Sequence, residues 1–267
     1  MSVKREELEA FFRETFADMK DYTHNGVQVE GGSEIKKMLF SVSLTQPLID
    51  RAIAQGYDAI FVHHGFFGKQ FISVAGPLKE KLKKLLLNDV TVFGYHLPLD
   101  AHAEYGNNAL LCQGAGLRAD EPLECGWMCS NPDGLTLEQI SERLGKFLPA
   151  GYTRSVSAEN NNSPFVPKTI NNNYLYKYGR DVPQKVFICS GGAGEFTQTA
   201  IDAGADLFIL GEAAEYIPSE ALDGRMSLLL LGHWRSEIVG ARKMAEVVHE
   251  KFGIETHFVV DGVENVL

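Results

Sequence analysis

The sequence predicts an α/β protein, with a mostly parallel sheet layered between helices. Three observations predict it. Short apolar runs rich in Val, Ile, Phe and Leu alternate with segments of helical period. Gly, Pro, Asn and Asp punctuate the breaks between them. Strands that alternate with helices are the pattern of parallel crossover units. The chain has 267 residues, 45% hydrophobic and 22% charged. That length suffices for one large or two ordinary domains with a substantial core.

The elements follow in order. Residues 4–19 carry Leu8, Phe11, Phe12, Phe16 and Met19 at helical spacing. "KKMLFSVSL" reads as a strand, and "TQPLIDRAIAQG" as a helix capped by Thr45 and stopped at Gly56. "YDAIFVHHG" is the next strand, and "LKEKLKKLLLND" a helix whose lysines form a solvated face. "VTVFGYHLPLD" is a strand and "NNALLCQGAG" a short helix. "LTLEQISERLGKFL" (135–148) is an amphipathic helix. Residues 149–184 have little periodicity but many Asn, Pro and Tyr, and read as a surface excursion or a hairpin. "KVFICSGGAGEFTQTAIDAGADLFIL" reads as strand, glycine turn, helix and strand. "RMSLLLLGHW" is a strand, "RSEIVGARKMAEVVHEKFG" a helix stopped by Gly253, and "IETHFVVD" a closing strand.

Composition narrows the function. A net charge of -10 disfavours non-specific binding to nucleic acid or to an anionic membrane surface. Only Cys125 and Cys129 of the four cysteines are close in sequence, and no second pair completes a zinc ribbon, so ordinary thiols in a reducing compartment are expected. The N-terminal segment lacks the apolar core of a signal peptide, and the longest apolar runs are too short to span a bilayer. The expectation is a soluble, cytoplasmic protein with no membrane partner.

The chemical signal lies at strand ends. "AIFVHHG" ends in His63 and His64, "VTVFGYHLPLDAH" in His96, Asp100 and His102, and "LLLLGHWRSE" in His233 and Glu237. Sites in α/β sheets form beyond the carboxyl ends of strands, so these groups would share a crevice if the strands were neighbours. His233 and Glu237, four residues apart, would share one face of a first helical turn. His63 and His64, adjacent in extended backbone, are expected to point to opposite sides and so to serve two different ions. His63, His64, Asp100, His233 and Glu237 together offer three imidazoles and two carboxylates. Two ions sharing a bridging carboxylate would use all five and leave positions for water. The plain alternative is a set of scattered polar residues at strand ends.

Softer candidates surround these. Glu212, in "LGE", ends another strand, and Glu212 and His96 are the catalytic candidates. His102 reads equally as a loop histidine. "CSGGAGEF" could offer backbone N–H groups to a phosphate, but it lacks the Lys-Ser/Thr of a P-loop and reads first as a tight turn. His24, Lys69 and Arg235 are candidates for an anionic substrate.

"VHHG", "YHLPLDAHAEYGNNALL", "GADLFILGE" and "GHWRSE" together resemble the Nif-three-like dinuclear metal-centre proteins, the GTP cyclohydrolase I type 2 homologues. "DYTHNGVQVEGG" resembles their early N-G-L-Q-V-x-G element, with Val27 in place of Leu. The resemblance runs from about residue 20 to 245, and the Asn-rich stretch 159–173 stands outside it. It implies His64 and Asp100 on one ion, His63 and His233 on the other, and Glu237 bridging. It implies two divalent ions per chain, a homohexamer and a small-molecule, nucleotide-like substrate; the ligands do not name the metal, since imidazole with carboxylate suits Zn, Fe, Mn, Co or Ni. It also implies two interleaved α/β lobes of the Nif-three-like fold. Residues 1–118 and 229–267 are expected to form the metal-binding lobe and 119–228 an inserted second lobe. The expected function is dinuclear metal-dependent hydrolysis by activated water; the alternative is a non-enzymatic metal-binding oligomeric scaffold or regulator.

Overall fold

The computed structural model describes residues 1–16, 19–67, 73–149 and 163–259. In chain order the elements begin β1 (Val3–Lys4), α1 (Arg5–Thr15), β2 (Gly26–Val29), β3 (Glu34–Ile35), β4 (Lys37–Ser43), α2 (Gln46–Ala54), β5 (Ala59–His64), α3 (Gly76–Leu87) and β6 (Thr91–Gly94). They continue with α4 (Leu97–Ala101), α5 (Asn107–Ala115), β7 (Arg118–Leu123), β8 (Gly126–Ser130), α6 (Leu137–Phe147), β9 (Lys168–Ile170) and β10 (Asn173–Tyr176). The last are β11 (Lys185–Cys189), α7 (Thr197–Asp202), β12 (Leu207–Leu210), α8 (Ile217–Asp223), β13 (Ser227–Leu230), α9 (His233–Phe252) and β14 (Glu255–Phe258). The chain divides into two compact units, Met1–Leu99 with Gly240–Val266, and Asp100–Val239 with Leu267.

The first unit holds a five-stranded sheet of order β14-β4-β5-β6-β2. The β14, β4, β5 and β6 strands run parallel, and β2 closes the edge antiparallel. Alternation along the strands sorts the apolar residues onto two faces. Phe40, Phe61 and Phe93 face α1, where the Phe12 ring meets Phe61 at 5.2 Å and Phe93 at 5.1 Å. Leu39, Ile60, Val62 and Val92 pack with Leu48 and Ile49 of α2 and Leu85 of α3. Both faces are covered, which is why these strands read as continuous apolar runs. The expected cap of α2 is present, with Thr45 Oγ accepting from Leu48 N at 3.2 Å.

The second unit holds a seven-stranded sheet of order β7-β8-β11-β12-β13-β10-β9. Only its centre is parallel: β11 with β12 and β12 with β13. The flanks are antiparallel: β7–β8 and β9–β10 are hairpins, and β8 and β10 join the centre antiparallel to β11 and β13. One face packs Ile188, Ile209 and Leu229 against Leu111 of α5 and Ile140 and Leu144 of α6. The other packs Phe187, Phe208 and Leu228 against Ala200 of α7 and Ile217 and Ala221 of α8. Thr136 and Gln139 form a reciprocal capping box on α6.

Two differences from the sequence reading follow. The strand at 227–230 pairs with β12 and β10, not with β5 or β6. The division accordingly falls at Leu99/Asp100 and inside α9, where the sequence reading had put it near 118 and 229. The apolar run 228–231 is compatible with either sheet; pairing partners decide, and they are not written in local sequence. The segment 149–184 contains the hairpin β9–β10. Its turn residues Asn171 and Asn172 have φ of 46° and 67°, a left-handed conformation that Asn tolerates better than most residues. Of the Asn-rich stretch, 159–162 lie outside the described residues.

Candidate metal centre

In the first unit, β5 delivers His63 and His64 at its carboxyl end, and the loop after β6 delivers His96. Their rings gather: His63 to His64 is 4.5 Å between centroids, His63 to His96 5.0 Å and His64 to His96 5.6 Å. Each offers a nitrogen within 4.8 Å of the other two. This corrects the expectation that adjacent histidines point apart. His64 is the last residue of β5, where the pleat no longer fixes the ring, and the two imidazoles turn together.

Each ring is aimed by an oxygen at Nδ1. The buried His63 places Nδ1 3.0 Å from the Tyr95 carbonyl, which can only accept, so the proton sits on Nδ1 and Nε2 carries the lone pair. His64 Nδ1 lies 3.4 Å from Ser43 Oγ. His96 Nδ1 lies 3.2 Å from Asp21 Oδ1, and Asp21 also accepts from Asn25 and from the Leu97 backbone. Burial works against the charged Asp21 carboxylate, but hydrogen bonds from His96 and Asn25 outweigh it and hold its pKa at about 2. This support of each donor nitrogen is the arrangement that metal-ligating histidines use.

In the second unit, Asp100, His233 and Glu237 come together. Asp100 Oδ1 accepts from Asn107 Nδ2 and Ser190 Oγ, each at 2.9 Å. Asp100 and Glu237, 5% and 3% exposed, each offer an oxygen within 4.8 Å of the other. Two carboxylates so close repel when both are ionised, and a bound cation or a shared proton relieves this. His233 opens α9, and its Nε2 lies 3.2 Å from Glu237 Oε1 one turn on, as the four-residue spacing predicts. Its Nδ1 meets Glu212 Oε1 at 2.9 Å. The hydrogen bond to Glu237 raises the His233 pKa to about 9, against burial and with help from Glu212. A Cβ on Gly191 would lie 2.2 Å from Glu237 Oε1, and its φ is +68°, so the turn beneath this carboxylate requires glycine.

The softer candidates sort by their contacts. Glu212 orients His233. His102 Nδ1 accepts from the backbone N–H of Glu104 and Tyr105, and its ring stacks on Tyr105, which makes it a loop histidine. Arg235 is buried and clamps Pro149 O, Asn173 Oδ1 and Leu231 O, a structural role that replaces the anion site expected of it. In "CSGGAGEF", Ser190 N and Gly191 N donate to Asn108 Oδ1 and Ser236 Oγ, so these two are not presented to a phosphate. Lys69 lies outside the described residues. His24 lines a cavity of about 290 Å³ with Arg13, Asn25 and Tyr95. Sequence reasoning missed Asp21, Ser190, Asn107 and Asn108; for Asn107 and Asn108 the signal was two amides opening one helix and turning inward, both fully buried.

A family model described as Duf34/NIF3 (NGG1p interacting factor 3) matches residues 3–263. The chain belongs to the Duf34/NIF3 family. A Haemophilus influenzae relative described as a GTP cyclohydrolase 1 type 2 homolog is 34% identical over 260 residues, covering 94% of this chain and 96% of the relative. The solved structure of protein ybgI, described as of unknown function, superposes with a TM-score of 0.83 at 28% identity, covering 99% of this chain and all of that one. That of TTHA1606 from Thermus thermophilus gives 0.81 at 25% identity, with the same coverage. Membership in the Duf34/NIF3 family accounts for the α/β fold and the strand-end motifs alike. The buried His, Asp and Glu groups could hold metal ions. Among the described residues no helix is long and apolar enough to cross a membrane.

Proposed function

We propose that this Duf34/NIF3 protein is a metal-dependent hydrolase of a small, nucleotide-like substrate. In this reading it holds two divalent ions per chain on His63, His64, Asp100, His233 and Glu237, with His64 and Asp100 on one ion, His63 and His233 on the other, and Glu237 shared. One observation carries the reading: His63, buried at a strand end, has Nδ1 committed to a backbone carbonyl, so its basic nitrogen is Nε2. Ligating histidines use this arrangement, one ring nitrogen held by an oxygen and the other turned to the ion. Imidazole with carboxylate suits Zn, Fe, Mn, Co or Ni.

Ions so held would lower the pKa of water towards about 7 and polarise the bond to be broken. The chain's own residues do the positioning. The Tyr95 carbonyl fixes the His63 ring, and Glu212 fixes the His233 ring. Asn107 and Ser190 hold Asp100 in one orientation by donating to the same oxygen. The name carried by the relatives supports a nucleotide as the substrate class. A turnover screen over nucleotides, cyclic nucleotides and phosphoesters, run on metal-loaded and chelator-stripped protein, tests this. Metal-dependent turnover of at least one nucleotide is expected; no turnover of any with two ions bound would turn the reading towards a metal-binding scaffold.

A further inference from the structure

We propose that Cys125 and Cys189 form an oxidant-responsive thiol pair, which closes to a disulfide with hydrogen peroxide as oxidant and reopens with a low-molecular-weight thiol. Both cysteines lie within the second unit, and the inference rests neither on bound ions nor on turnover.

The strands bring the two sulfurs together. β8 and β11 run antiparallel with Trp127 opposite Ile188, which sets Gly126 beside Cys189. A Cβ on Gly126 would lie 2.2 Å from Ile188 O and 3.0 Å from Cys189 Cβ, so glycine is what lets the two backbones approach this closely. That approach carries the preceding residue, Cys125, against Cys189, and their sulfurs sit 3.4 Å apart. Asn108 holds the arrangement from below. Its Nδ2 donates to Cys125 O at 2.8 Å, and its Oδ1 accepts from Ser190 N at 2.7 Å. One fully buried amide thus pins the backbone at or next to both cysteines. A disulfide needs its sulfurs about 2.05 Å apart, a closure of roughly 1.4 Å that is within reach of side-chain rotation.

The two thiols differ in access. Cys125 is half-buried, in the two-residue turn between β7 and β8, whereas Cys189 is 1% exposed. Cys125 therefore meets the peroxide first. Its thiolate sulfur attacks one peroxide oxygen, the O–O bond breaks, and the departing hydroxide takes up a proton to become water. Cys125 is left as a sulfenic acid. The Cys189 sulfur then attacks the Cys125 sulfur, the S–OH bond breaks, and hydroxide leaves with the Cys189 proton as a second water. In sum two thiols lose two electrons and two protons, and one peroxide becomes two waters. Two molecules of a small thiol reverse the bond by exchange, through a mixed disulfide. The bond would tie the β7–β8 turn to the end of β11, where the glycine turn after Cys189 begins. Cys112 and Cys129 provide an internal control. They are 1% and 2% exposed in the core on the opposite face of the sheet, where peroxide has no ready access.

The test uses the full-length chain, reduced, freed of reductant and treated in the folded state with hydrogen peroxide. Remaining thiols are then alkylated and the peptides mapped by mass spectrometry without reduction. A cross-linked peptide joining Cys125 to Cys189 is expected, with Cys112 and Cys129 alkylated, and reduced glutathione should restore all four thiols. In Cys189→Ser, Cys125 should accumulate as a sulfenic acid that dimedone traps, several-fold above wild type. In Cys125→Ser, Cys189 should stay reduced. Four thiols left free in wild type, Cys125 carried to sulfinic acid with Cys189 still alkylated, or a cross-link through Cys112 or Cys129 would each overturn the proposal. Should either variant not fold, the wild-type map decides alone.

Discussion

At the residue scale, the fate of a polar atom depends on what its neighbours leave it to do. Tyr178 shows this away from the metal centre. Its hydroxyl is buried with no hydrogen-bond partner among the described residues, and burial pushes its pKa up to about 12. In the unfolded chain a tyrosine ionises near pH 10. Between pH 10 and 12 the unfolded chain has therefore lost a proton that the folded one keeps, and stability falls as pH rises. Tyr178→Phe should be neutral or mildly stabilising at pH 7, because an unmet buried hydroxyl is removed. It should also flatten the alkaline loss by on the order of 1 kcal/mol, after discounting for solvent screening at this half-buried site. Urea denaturation of both proteins at pH 7 and pH 11 measures the two effects; an unchanged alkaline slope would contradict the assignment. The residue types of the metal centre were legible in the sequence because His, Asp and Glu at strand ends are conspicuous. The anchors were not: Tyr95 contributes a backbone carbonyl, and Ser43 and Asp21 lie far from the histidines in sequence.

At the element scale, turns and sheet pairing separate what local sequence encodes from what it does not. Periodicity placed α2, α5, α6 and α9, and the glycines after α2, α5 and α9 (Gly56, Gly116 and Gly253) all have positive φ. The antiparallel flanks β7–β8 and β9–β10 were not placed individually, because short strands with half-exposed residues carry little alternation. The Asn171–Asn172 turn is the clearest consequence. Asn172→Val should cost about 1–2 kcal/mol through the left-handed backbone it must keep, while Asn172→Gly should be tolerated. Thermal unfolding of the two variants tests this; equal stability would mean the turn readjusts. In the first unit, Phe12→Ala should cost about 3–5 kcal/mol, because the ring is fully buried against Phe61 and Phe93. A loss below about 1 kcal/mol by chemical denaturation would mean that α1 is not fixed on the sheet by that ring.

At the scale of the whole molecule, the motifs spread along the chain point to the family and the α/β fold, and the division into units departed from expectation because it follows strand pairing. The pairing of β13 with β12 is a long-range choice between two apolar sheets, and no local pattern distinguishes them. We extend the family reading to assembly: light scattering should give a mass six times the 29.5 kDa of the chain, and a monomer at micromolar concentration would contradict it. The central claim concerns the ions. Glu237 is the one ligand proposed to touch both, since a carboxylate has two oxygens to share and a neutral imidazole has one lone pair. Removing its charge leaves two dications about 4 Å apart with less to offset their repulsion. Elemental mass spectrometry on freshly purified protein tests this most directly. The account predicts about two divalent ions per wild-type chain, about one in His63→Ala, and one or none in Glu237→Gln. Two ions retained in Glu237→Gln, or none in wild type after growth with Zn, Fe, Mn, Co and Ni supplied, would contradict it.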